Sequence, residues 1–500
     1  MSEYKSLRNI SNLARTHVPY LKNYKAFIGG KWQSASSEVT FPVFNPANGE
    51  KLADVSDLHH DDVAKAIFTA AQAFQSWKAT SVKERSTFLQ KWHKALLERV
   101  DDIAKVMTLE QGKPLTEAYQ EVYYGASFIE WFAEEAKRIN GELIPSAQTS
   151  TKIILMKQPV GVAALWTPWN FPLALITKKA SAALAAGCTV LCKPSEDTPL
   201  TALALAQLAE EVGIPPGVFN VLPCSRDNVS MVTDAVMESS LVTKFSFTGS
   251  TAVGKLLLSQ CANTVKRVSM ELGGNAPFIV FNSADLDLAA QGLLTAKFRN
   301  TGQVCIAPNR IFVQEQVYEE FTQKLVEGMK TLVVGDGLNK NSTQGPLINE
   351  KAVLKVETHI QQSVKQGAKV ALGGSRMTDL GESFFQPTVL TDVTNDMVVS
   401  VEENFGPVVP LLRFNNEAEA IAMANNTYYG LAGYFYSQDF KQIWRVAEAL
   451  EVGMVGVNSP SVSSEYAPFG GVKHSGIGKE GSKYGMDEFV EIKAVHIGGM

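Results

Sequence analysis

The chain has 500 residues, 45% of them hydrophobic, with 46 Lys+Arg against 51 Asp+Glu for a formal charge of -5. Interspersed charges of both signs leave no basic footprint for nucleic acid. Five cysteines without a C-x-x-C pair exclude a disulfide framework and a zinc ribbon, and the absence of H-E-x-x-H and G-x-S-x-G removes the local signatures of metalloproteases and serine esterases.

At the N-terminus, Leu7, Ile10, Leu13, Val18 and Leu21 recur near helical spacing among Arg8, Arg15 and Lys22. This reads as a weak transit-peptide pattern or as a surface helix docked on the body. The spacing then predicts long helices over Asp62–Trp77, Val82–Val100 and Leu115–Ile139. Lys152–Gln158 alternates apolar and polar residues and reads, like Glu491–Ile497, as an edge strand outside the main sheets. Such strands at chain extremities often pair across subunits.

From Val160 the sequence alternates β-branched runs with Ala-rich helical runs, the pattern of βαβ units and a parallel sheet. Val160–Trp166, Thr189–Cys192, Val218–Leu222, Val242–Phe247 and Arg267–Glu271 are the predicted strands, with helices over 172–186, 200–212 and 250–262 between them. The apolar stretch Val160–Cys192 is broken by Pro168, Pro172 and Lys178-Lys179, short of the roughly 20 residues of a membrane span. A second alternating series runs from Pro277 to about Asn458: strand 278–281, helix 284–300, strand 311–313, helix 317–332, and onward to strand 454–457. The seam falls near Gly273-Gly274. The fold class is α/β with two doubly wound αβα units.

Two glycine motifs invite the wrong reading. Gly249-Ser-Thr-Ala-Val-Gly254-Lys255 opens a helix but has Leu256 where a P-loop needs Ser or Thr for magnesium, so what survives is a helix N-terminus suited to a phosphate. Gly476-Ile-Gly478-Lys-Glu-Gly481 follows a loop and is read as a glycine-rich loop.

Cys305 lies just past a glycine turn, in Phe298-Arg-Asn-Thr-Gly-Gln-Val-Cys-Ile-Ala-Pro-Asn-Arg310, and Arg299 nearby would favour its thiolate. The other four cysteines sit in apolar runs or on helix faces. A thiol attacking a carbonyl needs an oxyanion donor and a base for hydrolysis. Asn170 at the end of a parallel strand offers the first, and Glu271 beside two glycines could swing in as the second.

These three motifs, with Lys193-Pro-Ser-Glu196, Phe247-Thr-Gly-Ser250, Glu402-Glu-Asn-Phe-Gly-Pro407 and Pro468-Phe-Gly-Gly471, occur in the order and spacing of the aldehyde dehydrogenase superfamily, which the chain resembles from Phe27-Ile-Gly-Gly-Lys-Trp32 onward. Within it the sequence looks most like the succinate-semialdehyde dehydrogenases, in stretches such as Ser127-Phe-Ile-Glu-Trp-Phe132 and Ala296-Lys-Phe-Arg-Asn300.

The resemblance implies Cys305 as nucleophile, Asn170 as oxyanion donor and Glu271 as base. It places a nicotinamide dinucleotide against Thr167, Trp169, Lys193, Ser195, Glu196, Gly249, Ser250, Gly254, Leu272, Glu403 and Phe405. It places a semialdehyde substrate against Phe171, Lys178, Arg299, Ser463 and Phe469, with no metal. Glu196 would repel a 2'-phosphate, so NAD is expected over NADP. Of the two arginines that similar enzymes use for the substrate carboxylate, the second is replaced by Lys178, which keeps charge but loses the planar fork. Ala307 stands where some relatives have a second cysteine, so no local disulfide switch is expected.

By the same resemblance residues 1–140 and 160–272 form the NAD-binding unit, 273–485 the catalytic unit, and 141–159 with 486–500 the oligomerisation strands of a homodimer or homotetramer. A phosphotransferase built on Gly249–Lys255, a thiol hydrolase built on Cys305 and a non-catalytic nucleotide scaffold are the competing readings. A reducing compartment is expected, cytoplasm or mitochondrial matrix, with no membrane or nucleic-acid partner.

Overall fold

The computed structural model describes residues 20–499; the basic stretch from Leu7 to Val18 lies outside them. Five parallel strands run in the order Arg267–Glu271, Val242–Thr248, Val162–Trp166, Thr189–Lys193 and Phe219–Val221. Antiparallel partners close each edge, Gly476–Ile477 at one and the hairpin Ala26–Ile28/Lys31–Gln33 at the other. Most of the parallel strands are buried on both faces, which is why they read as continuous apolar runs such as Ala163-Ala-Leu-Trp166. From Val162–Trp166 the chain winds outward to Phe219–Val221, then returns on the other side with Val242–Thr248. The crevice beyond the carboxyl ends of Val162–Trp166 and Val242–Thr248 is therefore a topological switch point.

After a link of four residues beyond Glu271 the second sheet begins. Its parallel strands lie in the order Thr388–Thr391, Val408–Phe414, Pro308–Gln314, Ala276–Val280, Ala432–Tyr436 and Met454–Val457, with Lys369–Leu372 antiparallel at one edge. Two doubly wound sheets thus meet at residues 272–275. Gly274 has to be glycine: a Cβ there would come within 2.3 Å of the Cys305 carbonyl oxygen.

Arg267–Glu271 and Met454–Val457 match their predicted bounds. The predicted helix Val82–Val100 instead ends at Glu98, Arg99 breaks out of helical geometry (φ -119, ψ 20), and a further helix, Val100–Gln111, follows. Arg99 offers no side-chain cap, so the sequence carries no start signal there. Val229–Glu238 is a helix the sequence reading passed over, although Asn228 before it is a favoured N-cap residue; in the structure Asn228 makes no cap bond. Lys152–Pro159 is not an edge strand: it is the centre of a separate antiparallel sheet between Glu142–Ile144 and Val490–Ile497, and pairs with the latter along all eight residues.

Two helices that border the site begin on carboxylates lent by the N-terminal helices. Glu110 accepts from the Leu200 and Thr201 amides at 2.7 and 2.8 Å, capping Pro199–Glu211. Glu121 accepts from Leu173 and Ala174 at 3.0 and 3.2 Å, capping Ala174–Ala186. Negative charge at a helix N-terminus is favourable, yet burial pushes the Glu110 carboxyl up to about 8.

Candidate active site

A cavity of about 690 Å³ opens between the carboxyl ends of the first sheet and the amino ends of the second. Cys305 lies on its wall, half-buried, three residues before the strand Pro308–Gln314. It occupies a turn closed by the Ala307 amide donating to the Val304 carbonyl at 3.0 Å, so the Cys305 N–H is not consumed by the turn. Upstream, Asn300 (φ 51), Thr301 (φ 59) and Gly302 (φ 75) are all left-handed, an arrangement that two non-glycine residues hold only under constraint. The constraint is visible: Asn300 donates to the Asn170 carbonyl at 2.9 Å, accepts from Gln111 at 3.0 Å, and its amide meets Glu117 at 2.7 Å.

Asn170 is buried on the facing wall. Its Nδ2 donates to the Gln303 carbonyl at 2.9 Å, and its Oδ1 has no partner. The second Nδ2 hydrogen is left for a ligand. Lys113 fixes the Asn170 carbonyl from behind at 2.8 Å and forms a fully buried ion pair with Glu121.

Glu271 behaves differently. It ends its strand as expected, but its carboxylate does not line the cavity. Both oxygens are buried without hydrogen-bond partners, and Oε1 lies 2.8 Å from where a Cβ on Gly470 would stand. Burial, then the negative charge of Glu480, holds this carboxyl well above the usual range.

The Cys305 thiol is likewise pushed up to about 12, by burial first and then by Glu403 and Glu271. Lys178 and Arg299 pull the other way without prevailing, which corrects the expectation of a favoured thiolate.

At the switch point, Trp169, Ser195, Glu196, Gly249, Ser250, Leu272, Glu403 and Phe405 line the cavity, whereas Thr167, Lys193 and Gly254 stand behind it. Ser250 caps the helix Thr251–Cys261 by accepting from the Val253 amide. A Cβ on Gly249 would strike the Phe247 ring at 2.4 Å, and one on Gly254 would strike Leu272 at 2.3 Å, so neither close approach survives a side chain. Trp169 meets Phe405 edge-on with ring centroids 5.6 Å apart. The sequence reading missed Arg226, which lines the cavity and faces Glu196 at 3.7 Å while Lys193 stands 3.9 Å away on the other oxygen.

At the opposite end the structure gathers Phe171, Lys178, Arg299, Ser463 and Phe469. Arg299 stacks toward Phe171 (5.3 Å) and has no ion-pair partner among the described residues. Lys178 is already engaged, 3.7 Å from Glu480 and 3.5 Å from the Phe469 ring centroid. The expectation that Lys178 simply substitutes for a second arginine is therefore corrected: much of its charge is spent inside the protein. Ser463 shares a hydrogen bond with Tyr124, a cavity residue whose helix, Leu115–Glu135, gave no sign in sequence of which face would meet the site.

The aldehyde dehydrogenase family model matches residues 32–495. The chain belongs to the aldehyde dehydrogenase family. It is 55% identical to the mitochondrial succinate-semialdehyde dehydrogenase of Rattus norvegicus over 97% of this chain and 92% of that one. It is 52% identical to the 3-sulfolactaldehyde dehydrogenase of Pseudomonas putida, over 96% and 98% of the two chains. The crystal structure of an E. coli NADP-dependent enzyme superposes with a TM-score of 0.94 at 52% identity, covering 95% of this chain and 98% of that one. Family membership makes the protein an NAD(P)-dependent aldehyde oxidoreductase and fixes its fold as two-domain α/β.

Proposed function

We propose that the protein oxidises succinate semialdehyde to succinate with NAD, through a thiohemiacetal and then a thioester on Cys305. The observation that carries the substrate is Arg299, a guanidinium in the same cavity as Cys305 with no ion-pair partner among the described residues, the buried Glu117 acting on it only at longer range. A carboxylate at the far end of a short aldehyde supplies the missing partner, in charge-assisted hydrogen bonds.

Nucleotide recognition fits the residues present. The end of Val242–Thr248 carries a buried Thr248 hydroxyl without a partner, the adjoining glycine leaves room for backbone approach, and a capped helix N-terminus follows. Ser250 and Gly249 would hold the pyrophosphate, Glu196 the adenine ribose, and Glu403 with Phe405 the nicotinamide side. The bound dinucleotide supplies the hydride acceptor.

The chain's own residues do the rest. The Cys305 sulfur gives its proton to solvent water and adds to the aldehyde carbon, the released proton being the one the overall oxidation liberates. The resulting oxyanion lies against the free Asn170 amide hydrogen and the Cys305 backbone N–H. After oxidation to the thioester, Glu271, turned into the cavity, takes a proton from water; the hydroxide displaces sulfur, the acid leaves and the thiol is restored.

Glu196 favours NAD because a carboxylate accepts from a 2'-hydroxyl and repels a 2'-phosphate. The substrate assignment is tested by kcat/KM for succinate semialdehyde, glutarate semialdehyde, 3-sulfolactaldehyde and an uncharged aldehyde of equal length, each with NAD and NADP. Succinate semialdehyde with NAD is expected to lead. Preference for the uncharged aldehyde would remove the role of Arg299.

A homo-oligomer is proposed as well, supported by the exposed strand Val490–Ile497, where Ile492 is 66% exposed, and by Leu143 on the same sheet at 69%. Mass measurement in solution, with Ile492→Arg as the disrupting variant, checks it. A reducing compartment, cytoplasm or matrix, suits a nucleophile that must remain a thiol; fractionation of cells decides between them.

A further inference from the structure

Lys297 has no part in the chemistry above, yet it is 1% exposed on the last turn of the helix Leu286–Phe298, whose end leads into the left-handed residues before Cys305. Its ammonium donates to Asn404 Oδ1 at 3.1 Å and has no ion-pair partner among the described residues. An ammonium carries three donors, and a lysine kept out of water with so few acceptors is strongly disfavoured against an apolar side chain of similar length. Methionine would fill the same space at less cost.

What Lys297 touches is the turn that carries Glu403 and Phe405. Asn404 Oδ1 also accepts the Gly406 amide at 3.2 Å, and the Asn404 amide donates to Asn309 at 3.2 Å. The turn is strained, because Phe405 sits at φ 51, a left-handed conformation costly for a bulky residue. The Glu403 carboxylate beside it accepts the Gly274 amide at 3.0 Å. Burial pushes Glu403 up to about 7, against the Gly274 hydrogen bond and then the charges of Lys355 and Lys297, and pushes Lys297 down to about 7 against the charge of Glu403. The same helix end is packed on the turn's far side: a Cβ on Gly302 would lie 2.2 Å from the Gly406 carbonyl and 3.2 Å from that of Lys297.

We propose that Lys297 is a positioning residue for the nicotinamide side of the cofactor site: its ammonium tethers Asn404 and so holds preformed the turn that presents Glu403 and Phe405 to the cavity. The proposal rests on the dinucleotide reading given above. A packing role alone would be met by any side chain of the right length, whereas this role requires the ammonium and the Asn404 link.

The test uses the full-length protein and its Lys297→Met, Asn404→Ala, Glu403→Gln and Lys297→Met/Glu403→Gln variants. Equilibrium NAD binding is followed by intrinsic tryptophan fluorescence, alongside the KM for aldehyde and the thermal midpoint of the nucleotide-free protein. Expected are a Kd for NAD raised at least tenfold in Lys297→Met and Asn404→Ala, a KM for aldehyde within twofold of wild type, and a nucleotide-free midpoint no lower in Lys297→Met. The double variant should bind no more weakly than Glu403→Gln alone. If Lys297→Met does not fold, Asn404→Ala still decides, because it keeps the ammonium and cuts the link. Wild type that binds NAD while Lys297→Met and Asn404→Ala bind within twofold of it overturns the proposal alone, as does full multiplicative loss in the double variant. Wild type that binds neither NAD nor NADP overturns the dinucleotide reading and this one with it.

Discussion

Asn170 donates its side-chain amide to the backbone carbonyl of Gln303 at 2.9 Å, across 133 positions of chain and from one sheet's crevice to the other's. The proposed oxyanion donor is thereby fastened to the turn that carries the nucleophile. Truncation to Asn170→Ala should lower kcat about 10²- to 10³-fold, the usual effect of losing one such donor, with KM changed by only a few fold. Steady-state kinetics checks it; a loss under fivefold would take the oxyanion away from Asn170.

Gly274 and Cys305 form a second dependence, steric in kind. Because a Cβ on Gly274 would stand 2.3 Å from the Cys305 carbonyl oxygen, a backbone atom that has no rotamer to escape into, Gly274→Ala must displace the turn. Overpacking of this kind costs about 1–3 kcal/mol, and the displaced thiol should lose far more activity than the melting midpoint loses degrees. Equal kcat in the variant would show that the turn tolerates the shift.

Acidity sets a direction with pH. The Cys305 thiol is raised to about 12 and the Glu271 carboxyl lies well above its ordinary range. In the proposed mechanism both groups act in their deprotonated forms, and a raised pKa means those forms accumulate only as pH climbs. Alkylation of Cys305 by iodoacetamide in the nucleotide-free protein should be slow at pH 7 and rise about tenfold per pH unit through pH 9. A rate already flat at pH 7 would show a thiolate at rest.

Arg299 should govern discrimination and not turnover in general. Arg299→Met removes a charge-assisted interaction of about 1.5–3 kcal/mol, so kcat/KM for succinate semialdehyde should fall roughly 10- to 100-fold while that for an uncharged aldehyde stays within about threefold. Lys178→Met is expected to behave otherwise, hurting both substrates, since it removes the cation that faces Glu480 at 3.7 Å and leaves that buried carboxylate to Lys179 alone. Identical profiles for the two variants would refute the distinction.

For the cofactor, Glu196 is flanked by Arg226 at 3.7 Å and Lys193 at 3.9 Å. Glu196→Ser would free both cations to meet a 2'-phosphate. The ratio of kcat/KM for NADP over NAD should rise at least tenfold, and no gain with NADP would mean that the ribose is read elsewhere.

Much of this site was legible because short motifs bring their own local geometry. Ser250 caps a helix, Gly187 (φ 100) stops one, and Glu271 ends a strand, and each is a property of a few adjacent residues. What stayed hidden depends on which faces meet. Lys113 holds the Asn170 carbonyl with nothing adjacent in sequence to mark it; Lys178, expected to keep a replaced arginine's charge for substrate, rests on Phe469 and Glu480. Periodicity locates a side chain on its own element. It says nothing of the carboxylate or ring that another element brings to it, and those neighbours decide whether a charge is available and where a thiol titrates.

The bonds that join Asn170 to Gln303 and Asn300 have a consequence for how the protein comes into being. Asn170 is made early in synthesis and its partners much later, so its side chain has no anchor until the turn that carries Cys305 has formed. Recovery of activity on refolding should then trail recovery of nucleotide binding. A chain that stops between the two halves would carry Asn170 without its anchor, and without the Glu403 and Phe405 that line the other side of the cavity.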